Sequence, residues 1–339
     1  MIAGSIAFHL PLSLNASAPP ERRGVRRDHV RMMVLSKETG HACHDQFYHL
    51  DRYLASGDVL VLNNSRTIPA ILKGRAASTS LELEIRLARK IDDRRWHALL
   101  VSTEGVKEGE TIVFSAQLQG VVEKTTPDSP LSMIRFSKSG TSLFNEIYSI
   151  GEPVRYEYIE DPWDLDYYQT VFASHPGSVE MPSAGRAFTW EMLFKLRKKG
   201  VKITFIQLHT GLSYFLNDRW DHHPSKNTEQ YIVPTESWNE IISAKLSGKR
   251  VIAAGTTVVR ALETAIETNE LSGWTNLYIH PGYQLKVADG ILTGLHEPEA
   301  SHLAMLSAFI SQEKLCQAYQ EAVEEKYLWH EFGDMNLIL

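Results

Sequence analysis

The chain has 339 residues, 43% of them apolar and 22% charged, with 21 Gly and 14 Pro. That composition excludes a collagen-like, low-complexity or disordered chain, and its length suits about two domains with full cores. No apolar run approaches the roughly 18 residues of a membrane-spanning helix. Two isolated cysteines, Cys43 and Cys316, lack metal-ligand spacing and fit a reducing cytoplasm. Ala16-Ser17-Ala18 has the small-residue spacing of a signal-peptidase site, but no Lys or Arg precedes it, so a mature start is expected.

Formal charge is −6, unevenly spread. Residues 186–202 carry six Lys or Arg against one Glu, a candidate phosphate-facing surface whose bland alternative is a solvated helix end.

In chain order, Arg31–Leu35 and Val59–Leu62 are short apolar, β-branched runs separated by a helical turn around Leu50–Leu54. Leu81–Leu87 then alternates strictly, the period of a strand with one wet face. Trp96–Val101, Thr111–Phe114, Leu118–Val122 and Met133–Phe136 continue as short strands, predicting an antiparallel β-barrel. Beyond Pro162 the rhythm becomes helix, strand, helix. Trp190–Lys199 reads as a helix capped by Thr189 and closed by Gly200, followed by a strand over Val201–Leu208. A helix over Ser237–Leu246, a strand over Arg250–Ala254 and a helix from Val258 complete an α/β pattern with a largely parallel sheet. The expected fold is an α/β domain, residues 1–73 plus 154–339, with an inserted antiparallel β-barrel domain at 74–153.

Asn63-Asn64-Ser65-Arg66 leaves a strand's carboxyl end, where open α/β sheets bind ligands, although Asn also makes turns for local reasons. Gly255-Thr256-Thr257 joins a strand to a helix, offering hydroxyls and free N–H groups to an anion. Arg260 and Glu263, three apart, can simply pair on that helix. The loop Gly177–Thr189 is rich in glycine and hydroxyls and carries Ser183, Arg186 and Thr189. His209 ends a predicted strand and His296 follows Asp289 in a Gly- and Thr-containing stretch. Either histidine can be a proton carrier or a satisfied structural group. His222-His223 and Glu229 lack metalloprotease spacing, so no metal is expected.

In order, the Arg66 loop, the Gly-Ser-Val loop, Leu208-His209-Thr210-Gly211, Ala254-Gly255-Thr256-Thr257, Pro281-Gly282-Tyr283 and Gly333-Asp334 resemble the S-adenosylmethionine:tRNA ribosyltransferase-isomerase family of queuosine biosynthesis. The resemblance runs from about Phe8 to Leu339. It implies an α/β domain with an inserted barrel and transfer of the ribosyl part of S-adenosylmethionine to 7-aminomethyl-7-deazaguanine in tRNA, giving epoxyqueuosine. The chain departs from the family pattern at Arg186-Ala187 (Leu-His), Pro224 and Asn227 (His), Glu299 (Lys) and Glu331 (Ser), as a diverged paralogue would. A related ribosyltransferase with another acceptor, or a non-catalytic RNA-binding paralogue, stays open on these residues.

For that chemistry His209 and His296 are the expected proton carriers, with Asp289 and Asp334 orienting them or holding ribose hydroxyls. Gly255, Thr256 and Thr257 are expected to take an anionic group, and Arg66 and Arg260 a carboxylate or RNA phosphate. Asn63, Asn64, Ser183, Arg186, Thr189 and Tyr283 complete the expected substrate contacts. Arg186 in particular is expected to line one cleft with Gly255 and His209. The expected partner is tRNA, and the expected form a cytoplasmic monomer.

Overall fold

The computed structural model describes residues 6–339 apart from 102–105, 125–128, 157, 214, 216–223 and 299. Glu299, His222 and His223 therefore lie outside the described residues.

The first strands are β1 (Arg31–Leu35), β2 (Ala42–Gln46), β3 (Val59–Asn63) and β4 (Ser65–Thr67). A closed six-stranded barrel follows: β5 (Ile71–Ala76), β6 (Glu82–Lys90), β7 (Arg95–Leu100), β8 (Thr111–Val113), β9 (Gln119–Lys124) and β10 (Leu131–Phe136). Its neighbouring strands pair antiparallel. The alternation in β6 is the cause of its placement, since Leu83, Ile85 and Leu87 fill the barrel core with Trp96 and Phe136. The first barrel strand begins at Ile71, where the sequence reading put the domain boundary at residue 74.

Helix α1 (Gly140–Ile150) brings the chain back along the barrel, and β11 (His175–Ser178) pairs parallel with β4. Just after α1, Glu152 bridges Ile71 antiparallel, so the chain leaves and re-enters the barrel side by side, the geometry an insertion requires. The remaining elements are α2 (Trp190–Lys199), β12 (Lys202–Leu208), β13 (Glu229–Ile232), α3 (Thr235–Leu246), β14 (Val251–Ala254), α4 (Thr256–Thr268), β15 (Ser272–Thr275), β16 (Gly290–Gly294), α5 (Ser301–Leu306), α6 (Gln312–Glu324) and β17 (Met335–Ile338).

They complete a nine-stranded sheet in the order β15-β13-β12-β3-β14-β16-β17-β1-β2. The sheet is mixed rather than largely parallel. β12, β3, β14 and β16 run parallel at its centre, while β13, β15, β17 and β2 join by antiparallel pairing. Strands covered on both faces read as continuous apolar runs. In β3, Val59 and Val61 face the core beneath α3, α4 and α6, whereas Leu60 and Leu62 face the core beneath α2. The outer strands β2, β13 and β15 are mostly exposed or half-buried and lack that signature.

Candidate active site

Because β12, β3, β14 and β16 are parallel, their carboxyl ends share one edge, and His209, Asn63, Gly255 and His296 emerge there together. The turn Ser183–Gly185 packs against β16 from above. Gly255 has φ of 103°, and a Cβ on it would lie 3.1 Å from that of Ala184, so the turn needs glycine twice over. Thr256 and Thr257, 9% and 7% exposed, then open α4 with first-turn N–H groups that no helical carbonyl can reach.

Asn63 closes the edge. Its Oδ1 accepts from Leu208 N and Ser65 N, each at 3.1 Å, and its Nδ2 donates to Leu208 O at 2.9 Å and Thr257 Oγ1 at 3.3 Å. The whole amide is spent on the protein, so Asn63 positions Thr257 instead of contacting substrate, a correction to its expected role. Asn64 Oδ1 is buried without a hydrogen-bond partner among the described residues. Arg66 is exposed, its guanidinium 5.5 Å from the Tyr148 ring centre.

His209 Nδ1 lies 2.7 Å from Ser65 Oγ, which is 2.6 Å from Ser178 Oγ. Burial, with the charges of Lys90 and His175, pushes the imidazole down to about 4, so it is neutral at pH 7. His296 Nε2 lies 2.8 Å from Thr293 Oγ1, and its ring stacks on His302 at 4.5 Å. Burial and the neighbouring imidazoles hold His296 well below the usual range, and burial with Arg260 lowers His302 to about 4. Arg260 pairs with Glu229, whose other oxygen accepts from Gly211 N at 3.1 Å. Its expected partner Glu263 instead accepts from the backbone of Lys286, Val287 and Ala288. The Arg260–Glu229 pair thus clamps the His209-Thr210-Gly211 turn to α4.

Two carboxyls beside this edge were missed as site residues. Glu180 sits within the glycine-rich loop, and its carboxylate accepts from Ser213 N at 2.6 Å, Ser213 Oγ at 2.9 Å and Tyr156 Oη at 3.2 Å. Burial outweighs these bonds and raises it to about 7, helped by the charge of Glu229. Glu331 is pushed up to about 8 by burial and by Glu180, against the opposing charge of Arg186. In the sequence Glu180 is one acid among the loop's glycines and hydroxyls, and Glu331 is visible only as a departure from the family pattern.

Other expected site residues lie elsewhere. Asp289 stands at the amino end of β16, accepting from Val251 N at 2.9 Å and Lys245 Nζ at 2.8 Å, on the opposite edge of the sheet from both histidines. Asp334 spends its oxygens on Arg31 N and Leu328 N, each at 2.8 Å, and fastens strand starts. Tyr283 Oη donates to Glu267 at 2.7 Å, roughly 16 Å along α4 from Thr256. Thr189 caps α2 through Met192 N and donates to Asp28. Arg186 is 2% exposed and pairs with Glu21 at 2.7 Å, its guanidinium 5.0 Å from the Phe332 ring centre. Its anion comes from the N-terminal segment, so the guanidinium is spent within the fold, a correction to its expected ligand-facing role. The basic end of α2 also faces away: β12 starts beside it, and Lys195 already pairs with Asp51 at 2.8 Å.

Between barrel and sheet edge lies a cavity of about 240 Å³, bordered by Arg89 and His97 on one side and by Gly211, Ser213 and Glu229 on the other. No group of three or more His, Cys, Asp or Glu that could hold a metal occurs among the described residues. Among them, no helix is long and apolar enough to cross a membrane.

The family model described as "Queuosine biosynthesis protein" matches residues 4–338. The chain belongs to the S-adenosylmethionine:tRNA ribosyltransferase-isomerase family. It is 39% identical to the ribosyltransferase-isomerase of Thermoanaerobacter sp. (strain X514) over 98% of both chains. The corresponding protein of Sulfurihydrogenibium sp. (strain YO3AOP1) is 36% identical over 98% of each. The crystal structure of S-adenosylmethionine tRNA ribosyltransferase from Thermotoga maritima matches with a TM-score of 0.57 at 30% identity, covering 98% of this chain and 99% of that one. As a member of the ribosyltransferase-isomerase family the chain is an enzyme, a transferase and isomerase of queuosine biosynthesis.

Proposed function

We propose that the chain transfers and isomerises the ribosyl moiety of S-adenosylmethionine onto 7-aminomethyl-7-deazaguanine in tRNA, giving epoxyqueuosine. The observation that carries this reading is the meeting of the Gly255-Thr256-Thr257 helix start with His209 and His296 at one sheet edge. The donor brings a carboxylate, ribose hydroxyls and a sulfonium. The uncapped first turn of α4 suits the anionic group. The sulfonium acidifies the adjacent ribose carbon, and a base removing that proton starts adenine loss. His209 and His296, neutral at pH 7, are the candidate bases in this reading, each weakened as a base by the burial that lowers its value. The aminomethyl nitrogen of the acceptor then attacks, and methionine departs during ring rearrangement. Ser183, Asn64 and Arg66 are further substrate contacts in this reading, while Arg260, paired with Glu229, holds the His209 turn in place. The working form in this reading is a cytoplasmic monomer, and the free thiols of Cys43 and Cys316 suit a reducing compartment.

The test is to incubate purified protein with the donor, with and without tRNA carrying the aminomethyl base. Adenine and methionine release that requires this RNA, with epoxyqueuosine appearing in it, is the expected result. Adenine release independent of RNA, or salt-dependent tRNA binding without turnover, overturns the reading.

A further inference from the structure

Three near-parallel rings stand beside the Glu180 and Glu331 carboxyls. Tyr156 and Tyr158 stack at 5.7 Å with 9° between planes, and Tyr158 and His330 at 4.4 Å with 22°. His330 is held with φ of 69°, rare for a residue with a side chain, by Asn15 at 3.0 Å and Glu297 at 3.3 Å. Glu331 Oε1 is buried with no hydrogen-bond partner among the described residues. The Tyr168 hydroxyl, on a side chain 2% exposed, is likewise buried and unpartnered, and after burial it feels the charge of Glu331 most strongly. Arg186 is the cation whose charge Glu331 feels, but its guanidinium is spent on Glu21 and Tyr167 O. Burial favours the protonated form of both carboxyls, and a ligand cation beside them would favour the charged form instead.

We propose that Glu180, Glu331 and the Tyr156–Tyr158–His330 stack form the subsite that takes the acceptor's aminomethyl-bearing base. This rests on the proposed reaction. A flat base suits the ring stack, and its primary ammonium suits the acid pair. The ammonium of the donor's methionine does not fit as well, because it carries its own carboxylate, and the guanidinium of Arg186 that could meet it is spent on Glu21. Position agrees with the role. Thr210, the residue after His209, donates its hydroxyl to the Glu180 carbonyl, so the subsite adjoins a candidate proton carrier. Glu331 and Arg186 are both departures from the family pattern, and Arg186 lowers Glu331. Two of the substituted positions therefore meet at this subsite.

The experiment measures binding of three tRNAs that differ only at the modified base: the aminomethyl form, a 7-deazaguanine without the aminomethyl group, and guanine. Donor binding is measured separately by calorimetry. Wild type is expected to favour the aminomethyl form, and Glu331→Gln and Glu180→Gln to lose that preference by roughly 10- to 100-fold. Donor affinity and binding of the guanine tRNA should stay within about twofold. Glu→Gln keeps volume and hydrogen-bonding shape, and thermal melting checks that each variant folds. Retained preference in both variants, or a loss of donor affinity instead, overturns the proposal. Wild-type protein that discriminates among the tRNAs but transfers no ribose would sink the proposed reaction and leave this subsite standing.

Discussion

Arg186 Nη2 donates to Glu21 Oε2 at 2.7 Å across 165 positions of sequence. Burial lowers the guanidinium to about 10, and Glu21 works against that shift. Burial also raises Glu21, but Arg186 and Arg27 outweigh it and hold the carboxylate below its usual range. The pair therefore fastens the N-terminal segment to the loop that carries Ser183 and Glu180.

Removing one partner of such a pair strands the other. Arg186→Leu should cost about 3 kcal/mol, toward the low end for buried pairs because Glu21 keeps 29% exposure. Chemical denaturation checks this, and turnover at a permissive temperature should fall less than stability does. The reverse ranking would return Arg186 to a substrate-facing role. Because the folded-state value of Glu21 is depressed, its share of stability is present at neutral pH and lost as pH falls through its titration.

Gly177 lies under the His209 ring, where a Cβ would come within 2.6 Å of Nδ1. Gly177→Ala should displace the imidazole and break its bond to Ser65. Expected is a rate loss of about 10²-fold, the lower end for a lost acid or base, with the tRNA affinity nearly unchanged. Steady-state kinetics beside tRNA binding would show it. A normal rate would mean that His209 is only structural.

Asp289 supports the amino ends of β14 and β16 through Val251 N and Lys245. Asp289→Asn should lower stability by about 1 kcal/mol and leave kcat and KM within about twofold. A large kinetic effect measured on fully folded protein would restore its catalytic assignment.

Glu331, raised to about 8, binds a proton in the folded chain that it sheds on unfolding. A raised carboxyl makes the native state richer in protons than the unfolded state. Stability from this group therefore falls as pH rises from the ordinary carboxylate range toward 8. Glu331→Gln should melt increasingly above wild type between pH 5 and about 8, and a melting difference independent of pH would contradict the burial of this charge.

Thr256 opens α4 beside the glycine turn. Thr256→Val keeps the shape and removes one hydroxyl, so donor affinity should weaken by about tenfold with little change in melting temperature. Calorimetry that finds equal affinity would move the donor's anionic group away from this turn.

The sequence by itself determined the local elements. The alternation of Leu81–Leu87 sent one face of β6 into the barrel, and Thr189 and Gly200 set the ends of α2, because caps and periodicity act within a few residues. It also determined the family and the sheet-edge turns at His209 and Gly255, since motif order survives in one dimension. Tertiary structure decided which polar groups remain available. Asp289 and His296 are near neighbours in sequence but stand at opposite ends of β16, because a strand carries the chain across the whole sheet. Asn63 and Arg186 looked ligand-facing until Leu208 and Glu21, distant in sequence, took their hydrogen bonds. Glu180 and Glu331 acquire their raised values only when folding buries them side by side, and desolvation is a property of the packed surroundings that no short stretch of sequence records.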